Sequence, residues 1–403
     1  MSRQWPSPTF LRETLRAPRL PRHPHRDRVD RAASIEDLRR LARRRVPAVA
    51  FDYMDGAAGS ETSLLRARQA FADVHFHPRV LTDVGTVDLS TTVCGERSRL
   101  PFGVAPVGLT RLLHHEGEAA GARAAAATGI PFALSTMSSV SLEDVAAAAP
   151  DARRWFQLYL WKDRERSMDV VARAAAHGYD TLLLAVDTPV GGQRLRDVRN
   201  GMTIPPSFGL LDAARVATKP VWLANFLTTE PPAFASLSAF DGSVGELITE
   251  MFDPTLTFDD LAWLREHWSG RLLVKGLQDP QDARRAVDLG ADGVVISSHG
   301  GRQLDRTTAP LRRLPQVRAA LTGTSAEVVV DSGVMCGADV VAALALGADF
   351  VLVGRAYLYG LMAAGEHGAR RALRLLEEDV RRTMQLLGVT SVAELTPEYV
   401  TLG

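Results

Sequence analysis

Residues 271–297, RLLVKGLQDPQDARRAVDLGADGVVIS, contain one complete architectural unit. An apolar run (271–276, RLLVKG) is followed by a polar turn, a segment with helical spacing (279–289, DPQDARRAVDL) and a second apolar run (292–297, DGVVIS). A strand apolar at every position is buried on both faces, and the segment joining it to the next such strand has the length of a crossover helix. The unit therefore reads as β-α-β with parallel strands.

The same unit recurs on both sides. Downstream lie the runs 327–332 (EVVVDS) and 349–354 (DFVLVG), separated by the helical GADVVAALAL (337–346). Upstream lie 101–106 (PFGVAP), 130–135 (IPFALS), 154–159 (RWFQLY) and 181–187 (TLLLAVD), with helical spacing at 116–127, 141–149, 164–176 and 257–268. Eight two-face-buried strands alternating with helices predict an α/β fold, a closed (β/α)8 TIM barrel. The competing open doubly wound sheet lacks its usual signature, because the first strand runs into Pro106-Val107-Gly108-Leu109-Thr110 and not a Gly-x-Gly-x-x-Gly turn. One long irregularity, about 188–256 after the fourth strand, reads as a lid insertion. Residues 1–32, rich in Arg, His and Pro, read as an irregular N-terminal extension before a single domain at 33–403. Ser34 with Asp37, and Ser141 with Asp144, have capping-box spacing.

Lys+Arg 47 against Asp+Glu 47 leaves no net field to draw nucleic acid, so no nucleic-acid partner is expected. Cys94 and Cys336 suit neither a disulfide framework nor a zinc site, and no histidine spacing argues for a metal. No apolar run approaches the roughly 20 residues of a spanning helix, and no secretory signal opens the sequence, so the expected location is cytoplasmic.

A barrel of this kind builds its site from the C-terminal ends of its strands. Here those ends carry Ala105-Pro106-Val107, Ser135-Thr136-Met137, Gln157 with Tyr159, Asp187, Lys275-Gly276, Ser297-Ser298-His299-Gly300-Gly301-Arg302, Asp331-Ser332-Gly333 and Gly354-Arg355. Gly333, Gly354 and Arg355 follow strands seven and eight, where glycine backbone and a guanidinium make a phosphate cradle. His299 is the candidate proton-transfer residue, Asp187 can orient it, and Arg302 can hold a carboxylate by two parallel hydrogen bonds. Lys275 ends an apolar run, so its ammonium is buried and needs an anionic or electron-rich partner.

These motifs resemble the FMN-dependent L-2-hydroxy-acid dehydrogenases and oxidases. The resemblance rests on SSHGGRQLD (297–305), WFQLY (155–159), VDTP (186–189), VKG (274–276) and Gly354-Arg355, in order, and runs from about Ser34 to the C-terminus. Within the family, FDYMDG (51–56), APVGLT (105–110), RLRD (194–197) and GRAYLYG (354–360) are most similar to the quinone-reducing bacterial L-lactate dehydrogenases. The resemblance implies His299 as base, Asp187 as its partner, and Arg302 with Tyr53 holding the substrate carboxylate. Tyr159 would bond the substrate hydroxyl, and Arg194 would assist from the lid. For FMN it implies the backbone at Ala105, Pro106 and Val107, with Ser135, Gln157, Lys275, Ser297, Asp331, Gly333, Gly354 and Arg355. The sequence departs from the common pattern at Ser298 for Asn, Ala185 for Thr, Ser332 for Gly and Met335 for an Arg on the phosphate side.

The implied activity is oxidation of a small L-2-hydroxy acid, L-lactate to pyruvate, with electrons passed to a quinone. The alternatives are an oxidase that reduces oxygen to hydrogen peroxide, a phosphate-binding barrel acting on another substrate, and an inactive scaffold. The last two fit poorly with an intact Tyr53, Asp187, His299 and Arg302. Met137 can reach the substrate side chain and favours small aliphatic acids. The stretch VWLANFL (221–227) in the insertion could dock Trp222 and Phe226 at the inner face of the membrane as a peripheral contact, the alternative being that it packs on the barrel as an ordinary lid helix. By family resemblance the chain forms a homotetramer.

Overall fold

The computed structural model describes residues 24–202, 216–230 and 251–403, with Ser7, Thr9, Phe10, Pro232, Phe234 and Ala235 as isolated residues. The insertion's 203–215 and 236–250, and most of the extension before residue 24, lie outside the described residues. Eight parallel strands close into a barrel: β1 Phe102–Val104, β2 Phe132–Ser135, β3 Arg154–Leu158, β4 Tyr179–Ala185, β5 Arg271–Leu277, β6 Gly293–Ile296, β7 Glu327–Val330 and β8 Phe350–Val353. Each falls within a run anticipated from the sequence or overlaps it closely. Closure pairs β8 with β1, Val353 opposite Val104.

The unbroken apolar runs are explained by the two faces they serve. Leu183, Leu273, Val295 and Val329 point into the barrel with Trp155 and Phe350, while their neighbours Leu182, Leu184, Val274 and Ile296 pack outward under the helices. A short hairpin, Thr91–Val93 with Glu96–Ser98, closes the N-terminal end of the barrel and sends Val93 and Cys94 into the interior. Among the described residues no helix is long and apolar enough to cross a membrane.

Three expectations need correction. First, the extension is not irregular throughout, because Pro24–Asp30 is a helix whose end buries Val29 and, just beyond it, Ala32. Two apolar residues are too few to give a readable period. The Ser34–Asp37 capping box then starts the helix Ile35–Arg45 as anticipated, whereas at residue 141 only half of the box forms: Ser141 Oγ accepts from the Asp144 N–H, and Asp144 accepts from the Ser141 hydroxyl. Second, the insertion contains helices at Leu195–Arg199 and Pro220–Thr228. Third, Trp222 is buried; its indole N–H donates to the Leu112 carbonyl (2.9 Å) and its ring stacks on Phe226, so it packs onto the barrel and offers nothing to lipid. The large apolar residues exposed on that helix are Val221 and Leu227.

The last helix, Arg355–Leu387, breaks at Ala364 and Gly365. Gly365 has φ +59°, and a Cβ there would stand 2.5 Å from the His114 ring, so only glycine permits the bend.

Candidate active site

The strand ends, the helix Ala48–Asp55 and the start of the lid enclose a cavity of about 980 Å³. Tyr53, Ala105, Pro106, Val107, Ser135, Met137, Gln157, Tyr159, Arg194, Lys275, His299, Arg302, Asp331, Gly333, Gly354 and Arg355 all line it. Asp187 and Ser297 do not; they stand behind His299 and Lys275.

His299 sits in the left-handed region (φ +54°), a strained setting for a side-chain-bearing residue that recurs at functional turns. Its Nδ1 lies 3.1 and 3.3 Å from the two Asp187 oxygens. A carboxylate there requires Nδ1–H, which leaves the Nε2 lone pair for the cavity, 3.3 Å from the Tyr159 hydroxyl. Burial alone would raise the Asp187 carboxyl, but His299 and Lys275 hold it below its ordinary value. Burial pushes the Tyr159 phenol up, so it stays a donor. Gly276 makes the dyad possible, since a Cβ there would lie 2.6 Å from the Asp187 carboxyl carbon.

Arg302 is the other half of the site. Its NH1 donates to the Tyr53 and Gly56 carbonyls, at the C-terminal end of a helix, where the dipole favours a cation. The Tyr53 ring stacks against it, 4.8 Å away. Among the described residues it has no carboxylate within ion-pair distance, and Arg194 comes no closer than 3.9 Å to Asp197. Burial and the neighbouring Arg194 push the Arg302 guanidinium down to about 9, still cationic at neutral pH. Arg302, with no carboxylate partner among the described residues, and the partly exposed Arg194, held by Asp197 only at 3.9 Å, make a receptor for an anion.

On the far side, Lys275 finds the anion its burial demands: Nζ lies 3.1 Å from Asp331 and donates to Ser297 Oγ (3.0 Å). Ser297 is fully buried, so its hydroxyl supports Lys275 and the His299 turn instead of reaching into the cavity, which corrects its expected role as a direct cofactor contact. Arg355 also differs from expectation. Nε donates to Met54 O (2.8 Å), NH1 to Gly300 O (2.9 Å) and NH2 to Gly56 O (2.6 Å), so most of this guanidinium serves backbone carbonyls.

The donors fit FMN. Gln157 Oε1 accepts from the Ser135 hydroxyl (2.8 Å), but its buried Nε2 has no partner, as a ring carbonyl would require. Ala105 donates its N–H to Val353 O and Pro106 has none, so of that trio only Val107 has a backbone donor to offer. Gly354 leaves open space: a Cβ there would meet nothing nearer than Ala105 Cβ at 3.9 Å.

Sequence reasoning missed Phe252, whose ring packs edge-on against Tyr159 (5.7 Å), because it stands in the insertion outside any strand end. It also missed the clamp at Asp55, a buried carboxylate held by Arg39 (2.6 Å), the Tyr359 hydroxyl (2.8 Å) and Arg196 (3.0 Å). Arg196 comes from the lid, so the clamp ties the segment bearing Arg194 to the helix bearing Tyr53. The FDYMDG motif contained the aspartate, but nothing in sequence showed its partners.

Comparison with known proteins agrees with this chemistry. Residues 42–402 match the family described as FMN-dependent dehydrogenase. A Mycobacterium tuberculosis protein provisionally named L-lactate dehydrogenase is 56% identical over 374 residues, covering 93% of this chain and 90% of its own length. The crystal structure of the monotopic membrane protein (S)-mandelate dehydrogenase superposes with a TM-score of 0.88 at 39% identity, covering 93% of this chain and 100% of that one. That of mandelate oxidase gives 0.80 at 41%, covering 92% and 99%.

Proposed function

Since the chain belongs to the FMN-dependent dehydrogenase family, we propose that it oxidises a small L-2-hydroxy acid, L-lactate first among them, to the 2-oxo acid and passes the electrons to a quinone. The observation that carries this reading is Arg302, enclosed in the site with no carboxylate partner among the described residues, beside the His299–Asp187 dyad. An anion receptor within reach of a base is what a hydroxy acid needs and a neutral alcohol does not.

In this reading Arg302, Tyr53 and Arg194 bind the substrate carboxylate, and Tyr159 bonds the hydroxyl. His299 Nε2 takes the proton, and Asp187 stabilises the resulting imidazolium. FMN, when bound, supplies a two-electron acceptor. Gln157, Ser135, Val107 and Lys275 would hold its ring, and Gly333, Gly354 and the remaining N–H donors of Arg355 its phosphate. Asp331 acts by fixing Lys275. Met137 and Phe252 line the cavity, and in this reading they meet the substrate side chain, where the bulky methionine favours small aliphatic acids such as lactate. Val221 and Leu227 are the exposed apolar residues available for a peripheral membrane contact, which the monotopic character of a close structural neighbour supports.

The test begins with FMN loading. The protein should purify yellow or take up added FMN, and L-lactate should bleach it under anaerobic conditions. A protein that binds no FMN, or whose flavin is untouched by L-2-hydroxy acids, overturns the reading. Re-oxidation by a soluble quinone analogue should outpace oxygen uptake; peroxide formed as fast as quinone is reduced would make it an oxidase.

A further inference from the structure

The turn that carries His299 is held by hydroxyls. Three successive backbone N–H groups leave it: Ser298 N–H donates to Ser332 Oγ (3.2 Å), His299 N–H to Ser297 Oγ (2.9 Å) and Gly300 N–H to Ser332 Oγ again (3.1 Å). The Ser332 hydroxyl donates its own hydrogen to Asp331 Oδ1 (2.7 Å). One hydroxyl offers two lone pairs and one hydrogen, so Ser332 Oγ is saturated. Asp331 and Ser297 are in turn joined through Lys275 Nζ, so both hydroxyls under the turn are wired to one buried ion pair.

This arrangement is maintained against a backbone cost. Ser332 has φ +73°, where glycine is the easy residue and a serine is strained. A glycine would remove the strain but leave the Ser298 and Gly300 N–H groups without their acceptor in a buried setting. We propose that Ser332 is a positioning residue for the base: its hydroxyl fixes the strained turn on which the His299 imidazole is aimed at substrate, and couples that turn to the Lys275–Asp331 pair. The inference rests on the assignment of His299 as base.

Two variants separate hydroxyl from backbone. Ser332→Ala keeps the strained Cβ and loses only the oxygen, whereas Ser332→Gly loses both. With FMN loaded, both should reduce flavin with L-lactate about tenfold or more slowly, at an apparent lactate Kd within about twofold of wild type, because aim and not affinity is lost. Ser332→Gly should have a Tm no lower than Ser332→Ala. A Ser332→Gly enzyme that keeps its reduction rate within twofold of wild type, or one whose slower rate comes with an equally weakened lactate Kd, overturns the proposal. So does loss of FMN from both variants, which would make the hydroxyl a support of the cofactor pocket. His299→Ala reducing flavin at the wild-type rate would instead overturn the base itself, independently of the Ser332 results.

Discussion

Both ends of the barrel carry paired charges, Lys275 with Asp331 and Arg196 with Asp55 among those at the C-terminal end, but the two ends differ in the arginines they leave over. At the N-terminal end, Arg153 reaches Asp180 (2.8 Å) and the Val93 carbonyl (2.8 Å), Arg265 and Arg271 share Asp292 (3.1 and 3.0 Å), and Glu327 accepts the Cys94 N–H (2.8 Å). At the C-terminal end, Arg302 has carbonyls and the Tyr53 ring but no carboxylate within ion-pair distance among the described residues, and Arg194, over the same ring, meets Asp197 only at 3.9 Å. Paired charges hold a shape together. Unpaired ones, kept buried by the fold around them, are reserved for something that arrives from outside.

The contrast can be broken experimentally. The largest effect belongs to His299→Ala, which should slow anaerobic flavin reduction by L-lactate about 10⁴-fold while leaving FMN bound, measured by stopped flow. A loss under tenfold would mean that another group takes the proton. Arg302→Met should cost about 4 kcal/mol in kcat/KM, roughly a thousandfold, because a buried substrate carboxylate then lacks its cation. The same change should leave the Tm of FMN-free protein unchanged or raised, since it removes an enclosed charge that no carboxylate among the described residues pairs. Its counterpart at the other end, Arg153→Met, should do the reverse: stability falls by about 2 kcal/mol in urea denaturation, after discounting for partial exposure, with kcat and KM unchanged. If Arg153→Met impairs turnover as Arg302→Met does, the division between the two ends is false.

A third kind of group, buried and kept neutral, sharpens the comparison. His114 packs against the Gly365 bend, and burial, then His115, Arg45 and Arg123, push its imidazole down to about 4. The unfolded chain takes up this proton near pH 6.5 and the folded one resists it, so between these values the unfolded state binds more protons. The stability from His114 is thus whole above about pH 6.5 and is lost as pH falls toward 4. Between pH 7 and 4.5, wild type should lose about 2 kcal/mol more than His114→Gln by chemical denaturation. Parallel curves for the two proteins would place the titration elsewhere.

Most of the frame was legible because parallel strands buried on both faces announce themselves as runs such as LLLA, VVI and VVV. The polar residues at their ends then follow by position, so His299, Arg302, Asp187 and Lys275 needed no structure to be placed. What sequence could not show is who receives each hydrogen bond. Arg355 reads as a phosphate ligand but donates to carbonyls of Met54 and Gly56, some 300 residues away. Ser332 reads as a departure from glycine, and only the backbone angle and three distances turn it into part of the site. Trp222 reads as an exposed aromatic in a short apolar helix, because no local pattern records that Leu112 presents a carbonyl to it.

Closure of the barrel by its first and last strands also orders the protein's synthesis. The ribosome releases β1 some 250 residues before β8 exists, yet Val104 and Val353 must pair, and Arg355 must reach Met54, before the cavity has a wall. Until then a nascent chain exposes strand edges and apolar faces that only the end of translation covers, the condition in which large domains aggregate. Cofactor capture is accordingly expected only after translation. Stalled nascent chains ending before residue 349 should retain no FMN, whereas released full-length chains should acquire it; flavin bound to the shorter chains would show that seven strands suffice.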